Sequence, residues 1–402
     1  MLRRTLVKAI GSSIGALAAP SLVFGQTRPL KIGQVTDYAG VYRDTNGPGE
    51  EFAIQLAIQD VGGKVLGRPI ELLTVDHQNK SDIANDLGKR MLDVEKVDML
   101  LPSGSSVAAL AVQALARDAG VITNITSSAA VNFTEKDCSP LGFHWQVDSY
   151  AYARSSVLAS GEYAKKKWFF ISLDNVFGST STTVCMAAVQ ESGGQVVGAV
   201  KHPLNTTDYA SYIAQAQAAK ADVVVFLSSG SDLVRSLKQA REFGLWSAGG
   251  FVVAPILVYS DIPAAGLDVA QGMRFADGFY WNTNDATRAF AKRFQDKMGR
   301  APSGSHAQAF AAVTHYLRAV EATKSTDGRV VAKAMRERPI ATKFWTNTLI
   351  RPNGRVMYDL NLMRVKTPEQ SKGKFDVADI IGMLPGEQVF KPLAKTECKL
   401  LA

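Results

Sequence analysis

The sequence predicts an α/β protein of two Rossmann-like lobes, each built on a parallel sheet, joined by a three-segment hinge. From Leu30 onward, short β-branched apolar runs alternate with longer amphipathic segments, the form that parallel βαβ units take in sequence. The series is written twice: "VGGKVLG" at 61–67 and "SGGQVVG" at 192–198 each stop a helix on paired glycines and open a strand. The remainder of the chain, beyond the second series, is too short for a third lobe. It must complete the first two, so the chain crosses between lobes three times. The lobes are expected over 29–148 with 282–357 and over 149–281 with 358–385, and a tail is expected over 386–402.

At the start of the chain, Arg3, Arg4 and Lys8 precede an apolar stretch, Ala9 to Phe24, too short and too broken by Gly11, Gly15 and Pro20 for a membrane span. With Val23 and Gly25 before a cleavage point at Gln26, residues 1–25 read as a signal peptide, and the mature protein is expected in the periplasm. Arg3-Arg4 resembles a twin-arginine signal; a basic Sec signal fits as well. In the first lobe, strands are expected at 31–35, 70–75, 97–101 and 121–125, with helices at 48–61, 81–94 and 105–119. In the second, helices at 154–165, 179–192, 209–219 and 232–243 alternate with strands at 168–173, 195–200, 223–227 and 251–254. Helices near 285–298, 305–323 and 329–338 and strands near 359–365 and 377–383 close the pattern.

Composition excludes several classes. The net charge of +8 falls to +5 once the basic leader is removed, and no block of five like charges offers a nucleic-acid surface. The densest run, Lys165 to Lys167, reads as a solvated helix end. Three cysteines lack metal or redox spacing; in an oxidising compartment they divide into one disulfide, expected between Cys138 and Cys398, and one buried inert thiol, Cys185. His77, His144, His202, His306 and His315 are too scattered to share a metal. Gly11-Ser12-Ser13-Ile14-Gly15 matches a nucleophile elbow but lies in the leader without a preceding strand. No phosphate loop or poised base is found. No catalytic residue, metal or cofactor is expected, and the chain is expected to be a monomer.

The strand ends remain, the places where parallel sheets bind ligands. These carry Tyr38, Gly40, Tyr42 and Arg43, then "PSGSSVAAL" (102–110), then "NITSSAA" (124–130). Ser105 and Ser106 at a helix N-terminus suit a carboxylate, although capping alone also explains them. Arg43 is expected to face solvent.

The ordered set "LKIGQVTDYAGVY", "AIQDVGGKVLGRPIELLTVDHQNK", "GSSVAALAVQ", "DNVFGSTST", "HPLNTTDYASYIAQAQAAKADVVVF", "QGMRFADGFYW" and "PNGRVMYDLNLMRVK" resembles the type I periplasmic solute-binding proteins of ABC transporters, in the branched-chain amino acid (leucine-binding-like) family. The resemblance implies a protein that closes its lobes around a small solute and delivers it to ABC permease subunits in the inner membrane. It places carboxylate contacts at Ser105 and Ser106 and near Ser127 and Ser128, aromatic packing at Tyr42 and Phe177, and an acidic contact at Asp148. Tyr150 and Ser229 complete the expected site. Where amino-acid binders of the family carry an aromatic hydroxyl and an acidic residue for the ammonium, this chain reads Ser228-Ser229-Gly230 and Pro255-Ile256-Leu257. The expected ligand is therefore a small carboxylate, an amino acid or an aromatic or organic acid, with the departures favouring an acid without an amine. The competing classes are a sensor feeding a membrane receptor and an enzyme on the same scaffold.

Overall fold

The computed structural model describes residues 28–245 and 251–401. The expected signal peptide lies outside them. The first sheet runs β2-β3-β1-β4-β5-β6, with β1 Leu30–Thr36, β2 Lys64–Val65, β3 Arg68–Asp76, β4 Met99–Pro102, β5 Ile122–Ile125 and β6 Gly142–His144. All its pairs are parallel except the short β2–β3 hairpin. Helices α1 (Gly47–Asp60), α2 (Ser81–Asp93) and α3 (Ser106–Asp118) make the crossovers. β1 and β4 are buried nearly throughout, which is why they read as unbroken apolar runs rather than alternating ones.

The second lobe begins with α4 (Ser149–Ser160), followed by β7 (Lys167–Leu173), α5 (Val176–Glu191), β8 (Gln195–His202), α6 (Ala210–Ala218), β9 (Val223–Leu227), α7 (Gly230–Glu242) and β10 (Phe251–Val253). Its four strands are all parallel, in the order β10-β9-β7-β8. Two short helices, α8 (Asp261–Ala265) and α9 (Leu267–Ala270), lead to β11 (Arg274–Asp277). Helix α4 starts five residues before the expected position. Its first turns, "SYAYA", are buried on nearly every side and show no amphipathic stripe to announce a helix.

The chain then returns to the first lobe. α10 (Asp285–Met298) precedes α11 (Gly304–Thr323), which is buried along nearly its whole length and packs on α1, with Ala53, Ala57, Ala307 and Ala311 of the two helices in one apolar cluster. After α12 (Gly328–Glu337), the hairpin of β12 (Leu349–Ile350) and β13 (Val356–Met357) extends the first sheet through a bridge between His144 and Arg355. The chain crosses a third time at Tyr358 into β14 (Leu360–Val365) and β15 (Ala378–Leu384). These two strands do not join a parallel sheet. They form a separate antiparallel sheet with β11, in the order β11-β14-β15.

The tail makes a fourth passage. It opens with α13 (Gly386–Val389), where the Gly386 N–H donates to Asp359 Oδ1 at 2.9 Å and Phe390 meets the ring of Tyr358. It then runs to the first lobe, where Glu135 accepts from Lys391 Nζ (2.8 Å), Thr396 Oγ1 (3.2 Å) and the Glu397 N–H (2.7 Å). Cys398 is bonded to Cys138 across 260 residues of sequence. Closing so long a loop restricts the unfolded chain. A Cys138→Ser, Cys398→Ser protein is expected to lose about 2–4 kcal/mol of stability in urea unfolding; a loss below ~0.5 kcal/mol would show that the noncovalent contacts of the tail suffice.

Candidate functional site

The loop after β1 is shaped by one carboxylate. Asp37 accepts from the Gly40 N–H (2.7 Å), the Tyr42 N–H (2.8 Å) and Asn79 Nδ2 (2.6 Å), curling the chain so that Tyr42 turns inward, where it is only 8% exposed. Tyr42 faces Ser229 of the other lobe across the same cavity. Burial, reinforced by Asp232 and Asp37, pushes its pKa far up, so it stays protonated and can donate. Arg43 is exposed beside Asp44.

Behind this loop, the turns after β4 and β5 are sewn together. Gly104 N–H donates to Ser127 Oγ (2.9 Å), Ser128 Oγ donates to the Gly104 carbonyl (3.1 Å), and Ala130 N–H reaches Ser106 Oγ (3.4 Å). Beneath them lies Glu50, fully buried and accepting from Gln34, Ser103 and Thr126. Burial raises its pKa against the pull of those three donors. Glu50 thus serves the scaffold of the turns.

Across the cleft, Asn175 Oδ1 accepts from the Gly178 N–H (2.8 Å) and caps α5, presenting Phe177. A Cβ on Gly178 would stand 1.8 Å from the Leu173 carbonyl oxygen, so only glycine lets α5 start this close to β7. At the start of α7, the Ser231 N–H approaches the Val41 carbonyl of the first lobe (3.4 Å), and a Cβ on Gly230 would lie 2.3 Å from that same oxygen. The lobes touch here, which makes this the shut form.

Between them is a cavity with about 520 Å³ of empty space including its mouth, lined by Tyr42, Thr45, Asn46, Gly104, Ser106, Ser127, Ala129, Gln146, Asn175, Phe177, Ser229, Ile256, Val258 and Ser305. None of these carries a charge. Five expected contacts come together there: Tyr42, Ser106, Ser127, Phe177 and Ser229. Four others lie off the wall. Ser105 is the N-cap residue of α3, with no capping bond from its side chain. Ser128 is buried on the Gly104 carbonyl. Tyr150 faces a separate groove with Ser179, Thr180 and Lys391 beside the tail.

The fourth, Asp148, is committed elsewhere. One oxygen accepts from the Ala151 N–H at 2.8 Å, capping α4, and the other pairs with Arg355 at 3.3 Å, both side chains being 2% exposed. Arg355 also donates to His144 Nδ1 (3.0 Å) and the Gln146 carbonyl (2.5 Å), and His144 Nε2 reaches the Ser128 carbonyl at 2.7 Å. Burial and the neighbouring Arg355 hold His144 neutral. The chain of contacts is therefore structural, tying the first crossing segment to the strand end behind the cavity.

Asn46, Gln146, Asn175 and Ser305 were not expected as wall residues. Asn46 lies at a helix entry and Ser305 in the first turn of α11, whereas Gln146 and Asn175 each stand two residues past a strand, β6 and β7. Ile256 stands in the "PIL" segment that lacks an acidic residue. The histidines serve the scaffold: His77 reaches the Ser103 carbonyl, His202 Ser228, His315 the Met335 carbonyl, and His306 Nδ1 accepts from the Ser303 N–H. Cys185 is buried and unpaired, its thiol pushed up to about 12 by burial.

Two lobes shut over a cavity at their strand ends are a solute trap, and the sequence matches the family model described as periplasmic binding protein over residues 29–374. The chain belongs to the periplasmic binding protein family. A crystal structure of a periplasmic binding protein from Burkholderia mallei is 34% identical and superposes with a TM-score of 0.90 over 93% of this chain and 99% of its own. A branched-chain amino acid ABC transporter periplasmic ligand-binding protein from Burkholderia xenovorans is 36% identical, with a TM-score of 0.82 over 92% of this chain and 99% of its own. Among curated relatives, a Leu/Ile/Val-binding protein homolog of Brucella abortus is 25% identical, covering 81% of this chain and 85% of its own length. The cavity is lined from both lobes. Among the described residues no helix is long and apolar enough to cross a membrane.

Proposed function

We propose that this periplasmic binding protein, exported by its N-terminal signal, traps a small carboxylate that carries no amine and hands it, as a monomer, to the permease of an ABC importer. The observation that carries the ligand class is the wall of the cavity: hydroxyls, amides and the rings of Tyr42 and Phe177, with no charged side chain. Ser106 opens α3 there, and a helix N-terminus stabilises an anion by about 0.3–2 kcal/mol depending on burial. An ammonium would find no carboxylate. Asp148 and Glu50 are both engaged by protein donors and lie off the cavity wall, and leaving a buried charge unpaired costs several kcal/mol.

The names of the relatives favour a second reading, a branched-chain amino acid, for which the neutral oxygens of Asn46 and Gln146 would have to serve the ammonium. A thermal-shift screen of the mature protein separates the two, because a ligand at 100 times its Kd adds about 2.7 kcal/mol. Aromatic and aliphatic acids are expected to raise the melting temperature and leucine, isoleucine and valine to leave it unchanged. The reverse pattern would establish the amino acid.

A further inference from the structure

Gln146 is a wall residue with unfinished hydrogen bonding. It lies on the first crossing segment, between β6 and α4, and is 4% exposed. Its backbone is held on both sides: the N–H donates to the Ile125 carbonyl (3.3 Å) and the carbonyl accepts from Arg355 Nη2 (2.5 Å). Its side chain is held at one end, Nε2 donating to the Tyr152 hydroxyl at 2.9 Å. Tyr152 is itself buried, and that burial keeps it protonated. The other end, Oε1, is buried and has no partner in the protein. A buried carbonyl oxygen without a donor is costly, and nearly all such groups in folded proteins find one. Gln146 itself is one of the residues that line the cavity.

We infer that Gln146 determines specificity by accepting, through Oε1, a hydrogen bond from an uncharged donor on the ligand, a hydroxyl or an amide N–H. This rests on the reading of the cavity as the site of an amine-free carboxylate and refines it: the ligand has an anionic group for the α3 end and a neutral donor for the hinge wall. Asn46 supports the same chemistry. It is 1% exposed, lines the cavity and carries a second side-chain oxygen without a partner. Two orphan acceptors and no carboxylate select a neutral donor over a cationic one.

The test uses isothermal titration of the full mature protein with benzoate, the three hydroxybenzoate isomers and L-leucine, on wild type, Gln146→Met and Gln146→Glu. In wild type, the best hydroxybenzoate is expected to bind at least about tenfold tighter than benzoate. Gln146→Met should erase that gap, because the acceptor is lost together with the bond to Tyr152. Gln146→Glu, which supplies the missing anion at the same place, should weaken both acids and bring L-leucine to measurable affinity. If Gln146→Met does not melt cooperatively, Gln146→Glu decides by itself. A hydroxyl preference that is absent in wild type, or that survives Gln146→Met, overturns the role of Gln146 while the carboxylate reading stands. Failure of every acid to bind wild type, with leucine binding instead, overturns that reading and this inference together.

Discussion

Gly230→Val is expected to raise the dissociation constant of the ligand at least about tenfold, or 1.4 kcal/mol, while lowering the melting temperature of the unliganded protein only slightly. Gly230 has a φ of +60° at the mouth of α7, and its missing Cβ is what lets the Val41 carbonyl approach. A side chain there meets the first lobe only when the lobes are shut, at 2.3 Å from an oxygen that belongs to backbone and cannot swing aside. The penalty therefore falls on the closed form, and on ligand affinity through it. A left-handed backbone costs any other residue about 1–2 kcal/mol as well, which acts on open and closed forms alike. Gly62→Val supplies the control, since Gly62 has a φ of +73° and nothing within 4 Å of the added Cβ. Unchanged affinity in Gly230→Val would mean that the liganded protein does not use this contact.

The second large effect is on stability. Asp148→Ala is expected to cost about 3–5 kcal/mol in urea unfolding, because Arg355 would stay buried, charged and without its carboxylate. Roughly 1 kcal/mol of the loss comes from the cap on α4. Asp148→Asn keeps an acceptor for the Ala151 N–H and should lose less than Asp148→Ala. An undiminished unfolding free energy combined with a collapse of ligand binding would return Asp148 to the role that family resemblance first suggested.

The strand ends were legible in the sequence because a β-branched run followed by small hydroxyl residues and a helical period marks both the sheet and its carboxyl end; the places of Tyr42, Ser106 and Ser127 on the cavity wall follow from that. Ser229 was legible as the place where an expected aromatic is missing. Asp148 stands off the cavity wall, and a carboxylate beside a crossing looks the same in sequence whether it faces a cavity or an arginine 207 residues away. Arg355 gave no local signal at all. β6 and β11, three and four residues long, fall below any periodicity, and the antiparallel pairing of β11, β14 and β15 is a long-range choice. Gln146 and Asn46 join the wall only because the folded chain brings a hinge segment and a helix entry to one cavity.

The bond between Cys138 and Cys398 also imposes an order of events. Cys185 lies between Cys138 and Cys398 in sequence and is the nearer thiol to Cys138 while the chain is unfolded. A mispaired loop would lock α5 out of the second lobe. Cys185 escapes by sinking among Trp168, Phe170 and Val189, where burial leaves almost none of it as the thiolate that attacks disulfides. Correct oxidation is thus favoured when the second lobe has folded around Cys185 before the bond forms.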